Sequence, residues 1–155
     1  MQLDIVIPIL NEALIIEKSI FQVLDFCNKE LGAYDWTIVV VDNGSKDKSA
    51  QIVSAITDKE KRVRLVKHPE PGRGRALRSY WLESKAHIVM YMDSDLAVSL
   101  EALPRLIAPL AAGSAELSIG SRYQKKFSTR NNLSNIQFYR KYLSAAYNKR
   151  LAMRL

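Results

Sequence analysis

Five short apolar runs along the chain predict β-strands, and the segments between them predict helices. The run at 36–41 is continuous, as in a strand that is buried on both faces of a sheet, and the run at 87–92 is also predicted to be a buried strand. They span residues 3–9, 36–41, 63–66, 87–92 and 117–121. Strands that alternate with helices favour a mainly parallel sheet with helices on both sides. Right-handed crossovers then give a Rossmann-like, doubly wound α/β fold.

The first helix is predicted to begin at Glu12, with Asn11 as its N-cap, because apolar residues then recur with the spacing of one helix face. Further helices are predicted around residues 52–56, over 76–84 and over 100–110. Cys27 is the only cysteine and lies on the apolar face of the first helix. We therefore expect a buried thiol and no internal disulfide.

Polar, charged and glycine residues stand where the predicted strands end. Ligands bind outside the carboxyl ends of the strands in folds of this kind, so these positions predict a site. The residues concerned are Asn11, Glu12, Asp42, Arg73, Gly74, Asp93, Asp95 and Arg122, together with Pro8 at the end of the first strand. The two histidines, His68 and His87, are not accompanied by a convincing nucleophile, and we expect neither to be catalytic.

Asp93 and Asp95 flank a single serine directly after the fourth predicted strand. Two carboxylates with open coordination positions suit Mg²⁺ or Mn²⁺ shared with substrate phosphates. The same Asp-x-Asp spacing is common in turns, where the side chains bond to backbone amides. Spacing alone leaves both interpretations open, and the other polar residues at this rim favour the metal.

Two further motifs at the rim are weaker signals. A carboxylate at Asp42 can accept hydrogen bonds from a ribose or a base, or it can form a side-chain turn with Gly44. Residues 72–75, Gly-Arg-Gly-Arg, precede a helix whose first amides can approach a phosphate. They lack the Gly-Lys-Ser/Thr ending of a P-loop, so a plain loop is equally compatible with them.

The net charge of +7 is concentrated near the C-terminus. Residues 117–155 contain nine Lys or Arg and no acidic residue, whereas residues 1–116 contain 14 basic and 16 acidic residues. This break predicts an α/β domain over residues 1–122 and a basic helical tail over 123–155. The tail's apolar residues recur near helical spacing, which fits a helix on an anionic membrane surface or one packed on the sheet. No run approaches the ~18 apolar residues of a bilayer-spanning helix.

The ordered set of motifs resembles the family-two inverting glycosyltransferases of GT-A fold. It is most similar to the dolichyl-phosphate mannose and glucose synthases and their bacterial polyprenyl-phosphate relatives. The residues that carry the resemblance are 6–8 with 11–12, 40–47, 72–76, 92–96, 120–123 and 140–148. Each motif alone is weak, but together they cover nearly the whole chain in the right order.

The resemblance implies a nucleotide-sugar donor, UDP-glucose or GDP-mannose, and a polyprenyl or dolichyl phosphate acceptor at the cytoplasmic face of a membrane. It places Pro8, Asn11, Glu12 and Asp42 around the nucleoside, and Arg73 and Gly74 near the diphosphate. It assigns Mg²⁺ or Mn²⁺ to Asp93 and Asp95, which are catalytic with Arg122. It assigns the acceptor phosphate to Arg122, Arg130 and Arg140.

Two departures from the family pattern stand out. Asn43 occupies a position where the family usually has an aspartate, and family members run on well beyond Leu155. Nucleotide binding without turnover is therefore kept as an alternative. Transfer to a sugar hydroxyl of a glycan is a second alternative, against which the basic tail and the lack of an obvious general base count. Nucleic acid is not expected as a partner, because the acidic residues at the rim repel phosphates in the absence of a metal.

Overall fold

A four-stranded sheet forms the centre of the molecule in the computed structural model, which describes residues 1–68 and 72–120. The strands are β1 (Gln2–Ile9), β2 (Asp35–Asp42), β3 (Val63–Lys67) and β4 (Ile88–Tyr91). All pairings are parallel and the spatial order is β3-β2-β1-β4, so β1 and β2 are central. The predicted mainly parallel α/β sheet is confirmed.

Each strand is followed by a helix, as the alternating pattern predicts. The helices are α1 (Ile16–Glu30), α2 (Ser49–Thr57), α3 (Arg73–Glu83) and α4 (Leu103–Ala111). A short 3₁₀ turn over Leu100–Ala102 leads into α4, which carries Pro104 in its first turn, where a missing N–H costs no helical hydrogen bond. None of these described helices has both the length and the hydropathy that a bilayer crossing requires.

Helices cover both faces of the sheet, because side chains alternate along each strand. Ile5, Ile7, Ile38 and Val40 pack with the apolar stripes of α1, α2 and α4 in the larger core. On the opposite face, α3 alone contributes to a smaller core, which consists of Val6, Val39, Val41, Ala76, Leu77 and Tyr80. The larger core also holds Cys27, and burial raises the pKa of its thiol to about 12.

Two local predictions were wrong. The first helix begins at Ile16 rather than at Glu12, and Asn11 does not cap it. Residues 117–120 of the predicted fifth strand form no ladder, and Leu117 and Ile119 are 76% and 75% exposed. An alternating apolar pattern is a strand only where another strand pairs with it, and no described strand does so here. The compact unit ends at Ile119, and the predicted tail over 123–155 lies outside the described residues.

Candidate functional site

The predicted site residues gather where the central strands end. Ile9 at the end of β1 pairs with Asp42 at the end of β2. The chain after β4 continues along β1, since the amide of Met92 donates to the carbonyl of Val6 at 3.0 Å. Parallel pairing therefore brings the loops after β1, β2 and β4 to one rim of the sheet, as predicted from the order of elements.

The loops after β1 and β2 are bonded to each other through Asn11. Its amide donates to Ser45 Oγ at 2.9 Å, and its Oδ1 accepts from the amide of Lys46 at 2.8 Å. Asn11 has a φ of 57°, in the left-handed region that asparagine tolerates better than most residues. Contrary to the prediction from the sequence, the Asn11 side chain therefore does not cap a helix. It joins the two loops of the rim.

Asp47 and Ser49 make the second set of bonds between these loops. Asp47 Oδ2 accepts from the amide of Ala13 at 3.1 Å, while Oδ1 accepts from the amide and hydroxyl of Ser49. The Ser49 hydroxyl oxygen in turn accepts from the amide of Glu12 at 2.8 Å. The hydroxyl of Ser49 and these backbone amides hold the pKa of Asp47 below its ordinary value. The backbone that presents Glu12 is thus held from the neighbouring loop.

We expect Asp47→Asn to lower the melting temperature at neutral pH, because an amide cannot accept every hydrogen bond that the carboxylate accepts. Since the folded pKa of Asp47 lies below the unfolded value of 3.8, its stabilisation is complete above that value and is lost as the pH falls through the folded pKa. Thermal unfolding is followed by circular dichroism at a series of pH values, and the melting temperatures of the variant and the unchanged chain should converge in acid. An equal difference between the two melting temperatures at every pH would contradict this assignment.

Asp42 is 4% exposed, and its Oδ1 accepts from the amide of Ser45 at 3.0 Å. The side-chain turn considered for Asp42 is therefore present, although it spans to Ser45 rather than involving Gly44. A carboxylate can accept several hydrogen bonds, so Asp42 can accept one from Ser45 and others from a nucleoside. Pro8 is buried beside it in β1, opposite Val41.

Asn43 makes a contact that the usual aspartate could not make. Its Nδ2 and its backbone amide both donate to the carbonyl of Ile9, at 3.2 and 3.0 Å. A carboxylate would place a second acceptor against that carbonyl, which is unfavourable in a buried position. Asn43 is 2% exposed, and its Oδ1 has no hydrogen-bond partner in residues 1–68 and 72–120. The departure from the family pattern therefore strengthens the end of the β1–β2 pair.

The Asp93–Asp95 turn is fixed to the body of the domain through Ser94. The Ser94 carbonyl accepts from Ser19 Oγ at 2.6 Å, and both serines are buried. Within the turn, Asp95 Oδ1 accepts from the amide of Ala97 at 3.0 Å. The turn bond considered for this motif is therefore present, while Asp95 itself is exposed at the rim.

Arg73 and Asp93 are brought together although twenty positions separate them. The Arg73 guanidinium, in the first turn of α3, contacts Oδ1 of Asp93 as an ion pair, and Gly74 is exposed beside it. This Oδ1 atom is buried against Arg73 and makes no aligned hydrogen bond. The Asp93 side chain as a whole is 45% exposed, so its other atoms reach the surface. The predicted diphosphate ligand and the predicted metal ligand are thus neighbours.

The donor set fits a hard divalent cation that is shared with a substrate. Asp93 offers a partly exposed carboxylate whose Oδ1 faces Arg73, and Asp95 is an exposed carboxylate two residues away. No third His, Cys, Asp or Glu joins them within the described part of the chain. Two carboxylates leave most coordination positions to phosphate oxygens and water, which is how Mg²⁺ is usually held in proteins.

Sequence reasoning missed two serines that position the rim. Ser19 of α1 holds the carbonyl of Ser94, and Ser49 of α2 holds the amide of Glu12. Ser49 was detectable in principle, since it lies two positions after Asp47, the last residue of the motif over 40–47. Ser19 carries no sequence signal, because its partner Ser94 is 75 positions away. Three predicted acceptor residues, Arg122, Arg130 and Arg140, lie outside the described residues.

Comparison with known proteins identifies the kind of chain that carries this rim. A family model described as glycosyl transferase family 2 matches residues 4–154. A dolichyl-phosphate beta-glucosyltransferase of Trichomonas vaginalis is 30% identical over 125 residues, covering 76% of this chain and 37% of the relative. An undecaprenyl-phosphate 4-deoxy-4-formamido-L-arabinose transferase of Pseudomonas fluorescens is 30% identical over 139 residues, covering 88% and 38%. The chain thus spans less than half the length of these relatives.

Two solved structures share the fold. The mannosyltransferase PcManGT from Pyrobaculum calidifontis, in complex with GDP-Man and Mn²⁺, has a TM-score of 0.59 and 24% identity over 70% of this chain and 32% of its own. Glucosyl-3-phosphoglycerate synthase from Mycobacterium tuberculosis, in complex with Mn²⁺, UDP and phosphoglyceric acid, has a TM-score of 0.50 and 27% identity, covering 70% and 38%. Both likenesses agree with the predicted Rossmann-like fold.

Proposed function

Since this chain belongs to glycosyl transferase family 2, we propose that it is the donor-binding part of an enzyme that glycosylates a polyprenyl or dolichyl phosphate. The donor is a nucleotide sugar, and the transfer inverts the anomeric carbon. The observation that carries this proposal is the Asp93–Asp95 turn, fixed at the rim with Arg73 beside it. The relatives named for dolichyl-phosphate and undecaprenyl-phosphate substrates support the acceptor class.

The nucleoside diphosphate is the leaving group, and its charge must be neutralised as the glycosidic bond breaks. Arg73 supplies a guanidinium suited to phosphate oxygens, and its pairing with Asp93 holds it at the rim. Asp93 and Asp95 would hold Mg²⁺ or Mn²⁺, which would supply further positive charge to the diphosphate. The glucosyl-3-phosphoglycerate synthase complex with Mn²⁺ and UDP supports such a pairing of metal and nucleotide.

The nucleoside is assigned to the end of the β1–β2 pair. Pro8, Asn11, Glu12 and Asp42 stand there, and the bonds between the two loops hold their backbone before any ligand arrives. When a site is ordered before the ligand binds, the entropic cost of ordering its loops on binding is smaller. UDP-glucose and GDP-mannose both suit this chemistry, and the glucosyltransferase relative favours UDP-glucose.

A phosphate acceptor needs no strong general base. Its second pKa is about 6, so at neutral pH it is largely dianionic and can attack the anomeric carbon directly. That agrees with the expectation that neither histidine is catalytic. We assign the acceptor phosphate to Arg122, Arg130 and Arg140, with residues 1–122 as the donor domain. The basic tail over 123–155 then meets the membrane surface at its cytoplasmic face.

Calorimetry on the whole chain tests the donor site. UDP-glucose and GDP-mannose are each titrated with Mn²⁺ and with EDTA, and we expect one of them to bind only when Mn²⁺ is present. Equal binding in EDTA would contradict the metal assignment. Absence of binding for both donors in every condition would contradict the donor site.

A transfer assay tests the acceptor. The donor that binds is supplied with undecaprenyl phosphate or, as a matched control, with undecaprenol, and lipid-linked sugar is measured by mass spectrometry. Product on the phosphate alone is the expected result. Product on a glycan hydroxyl or on undecaprenol would favour the alternative reaction. Donor binding without any product would favour a nucleotide-binding module.

A further inference from the structure

Helix α3 is the one described helix with a clear excess of basic residues. It contains Arg73, Arg75 and Arg78 against the single acid Glu83, whereas α1 contains three acidic and two basic residues. All three arginines are exposed, and Arg73 faces Asp93. Among the described helices, positive charge is therefore concentrated on α3.

The exposed face of α3 is also apolar and aromatic. Trp81 is 45% exposed and Leu82 is 69% exposed, one turn after Arg78 on the same side of the helix. Tyr91, at the end of β4, is 49% exposed and lies with its ring centroid 6.1 Å from that of Trp81. We call the surface formed by Arg75, Arg78, Trp81, Leu82 and Tyr91 the α3 outer face.

The inner face of α3 is anchored, so the outer face has a fixed orientation. The hydroxyls of Tyr80 and Ser84 each donate to Asp4 Oδ2 at 2.6 Å, and Asp4 is 9% exposed in β1. Burial, together with the bond to Asp4, raises the pKa of Tyr80 to about 12, so its hydroxyl stays a donor at physiological pH. The apolar residues of the outer face cannot turn inwards without breaking this cluster.

We propose that the α3 outer face docks on an anionic membrane surface. Tryptophan and tyrosine are enriched at membrane interfaces, where their rings lie among the headgroups, and nearby arginines bind anionic lipids. Charge complementarity therefore selects an anionic bilayer as the partner, rather than a second copy that would oppose like charges. The inference rests on the proposed function to the extent that a polyprenyl phosphate is presented by a bilayer.

The face is also close to the candidate site. Tyr91 is the last residue of β4 and precedes Asp93 by two positions. Arg73, at the start of the same helix, contacts Asp93. A bilayer at the α3 outer face would therefore lie near the rim where the donor is proposed to bind, which is where a lipid-borne phosphate has to arrive.

Tryptophan fluorescence tests the docking directly. Trp36 is 2% exposed and Trp81 is 45% exposed, so a shift on binding reports Trp81. With vesicles of equal parts phosphatidylcholine and phosphatidylglycerol, we expect the emission to move to shorter wavelength, and much less with phosphatidylcholine alone. Trp81→Phe should keep vesicle binding while losing the shift. Binding without a shift in the unchanged chain would mean that another segment makes the contact and would overturn the proposal.

Sedimentation with the same vesicles measures the contribution of the face. The double variant Trp81→Ser with Leu82→Ser should bind about tenfold or more weakly, and Arg78→Glu roughly tenfold more weakly. The matched control is Phe21→Ser, since Phe21 is 53% exposed on α1, beside the mixed charges of Glu17, Lys59 and Glu60. Equal losses of vesicle affinity in the control and in the double variant would overturn the proposal. It would also be overturned if the unchanged chain formed a concentration-dependent dimer that the double variant does not form, while the double variant still bound vesicles fully.

Donor titration in the same samples separates this inference from the proposed function. Trp81 and Leu82 have no part in the donor site, so the double variant should bind nucleotide sugar as the unchanged chain does. Vesicle binding that is about tenfold or more weaker, with intact donor binding, is the expected pattern. Vesicle binding that is as strong in the double variant as in the unchanged chain overturns the docking face, whatever the donor titration shows.

Discussion

Replacing either aspartate of the Asp93–Asp95 turn with asparagine should weaken Mn²⁺-dependent donor binding by roughly 10- to 100-fold, since charged polar contacts contribute about 1.5–3 kcal/mol each. The substitutions keep size and shape but remove the negative charge that a divalent cation requires. Calorimetry with whichever of the two donors binds, in Mn²⁺ and in EDTA, measures the effect. The affinity in Mn²⁺ should fall by that factor, while any binding in EDTA should be unchanged.

The control for these variants is Asp35→Asn. Asp35 is exposed at the start of β2, at the end of the sheet opposite to the rim, so it should alter neither affinity nor metal dependence. Circular dichroism should show that all three variants keep the fold. If Asp35→Asn weakened the donor as much as Asp95→Asn, the effect would reflect net charge and the metal assignment would fail.

The largest loss of stability is expected at Ile5. This side chain is 0% exposed in the central strand β1, between Ile38 of β2 and Met90 of β4. Ile5→Ala should lower the free energy of unfolding by about 2–5 kcal/mol, because apolar contact is lost and a cavity is left that the sheet cannot close. Urea unfolding followed by far-ultraviolet circular dichroism gives the free energy by linear extrapolation.

Two companion variants test the cause of that loss. Ile5→Val removes one methylene and should cost about 0.5–1.5 kcal/mol, which puts the losses in order of the volume removed. Leu14→Ala removes an apolar side chain that is 100% exposed, and it should leave the unfolding curve in place. A similar loss for Leu14→Ala and Ile5→Ala would contradict the position of β1 in the core.

Much of the fold was predictable because strands of a parallel sheet are buried on both faces. The apolar run at residues 36–41 became β2, Asp35–Asp42, and the run at 3–9 became β1, Gln2–Ile9. Such runs are visible in one dimension, since burial depends first on each residue's own side chain. The rim could be predicted for a related reason, because Asp42 ends β2, Asp93 follows β4 and these strands run in the same direction.

The errors arose where a local pattern had a distant competitor. Asn11 followed by Glu12 looks like a helix start, but Ser45 and the amide of Lys46 bond to Asn11 from another loop. Alternation at residues 117–121 looks like a strand, but residues 117–120 have no strand beside them. A cap or a strand is decided by which partner is available, and the partner is not part of the local pattern.

The sequence by itself thus determined the order of strands and helices, the apolar layers between them and the chemistry that stands at the strand ends. Only the tertiary structure decided which side chains meet: Arg73 with Asp93, Ser19 with the Ser94 carbonyl, and Asn43 with the carbonyl of Ile9. The physical reason is that hydrophobic burial is nondirectional and follows composition and period, whereas ion pairs and hydrogen bonds need two groups within a few ångströms. That proximity is set by strand register and by the crossovers of the whole sheet.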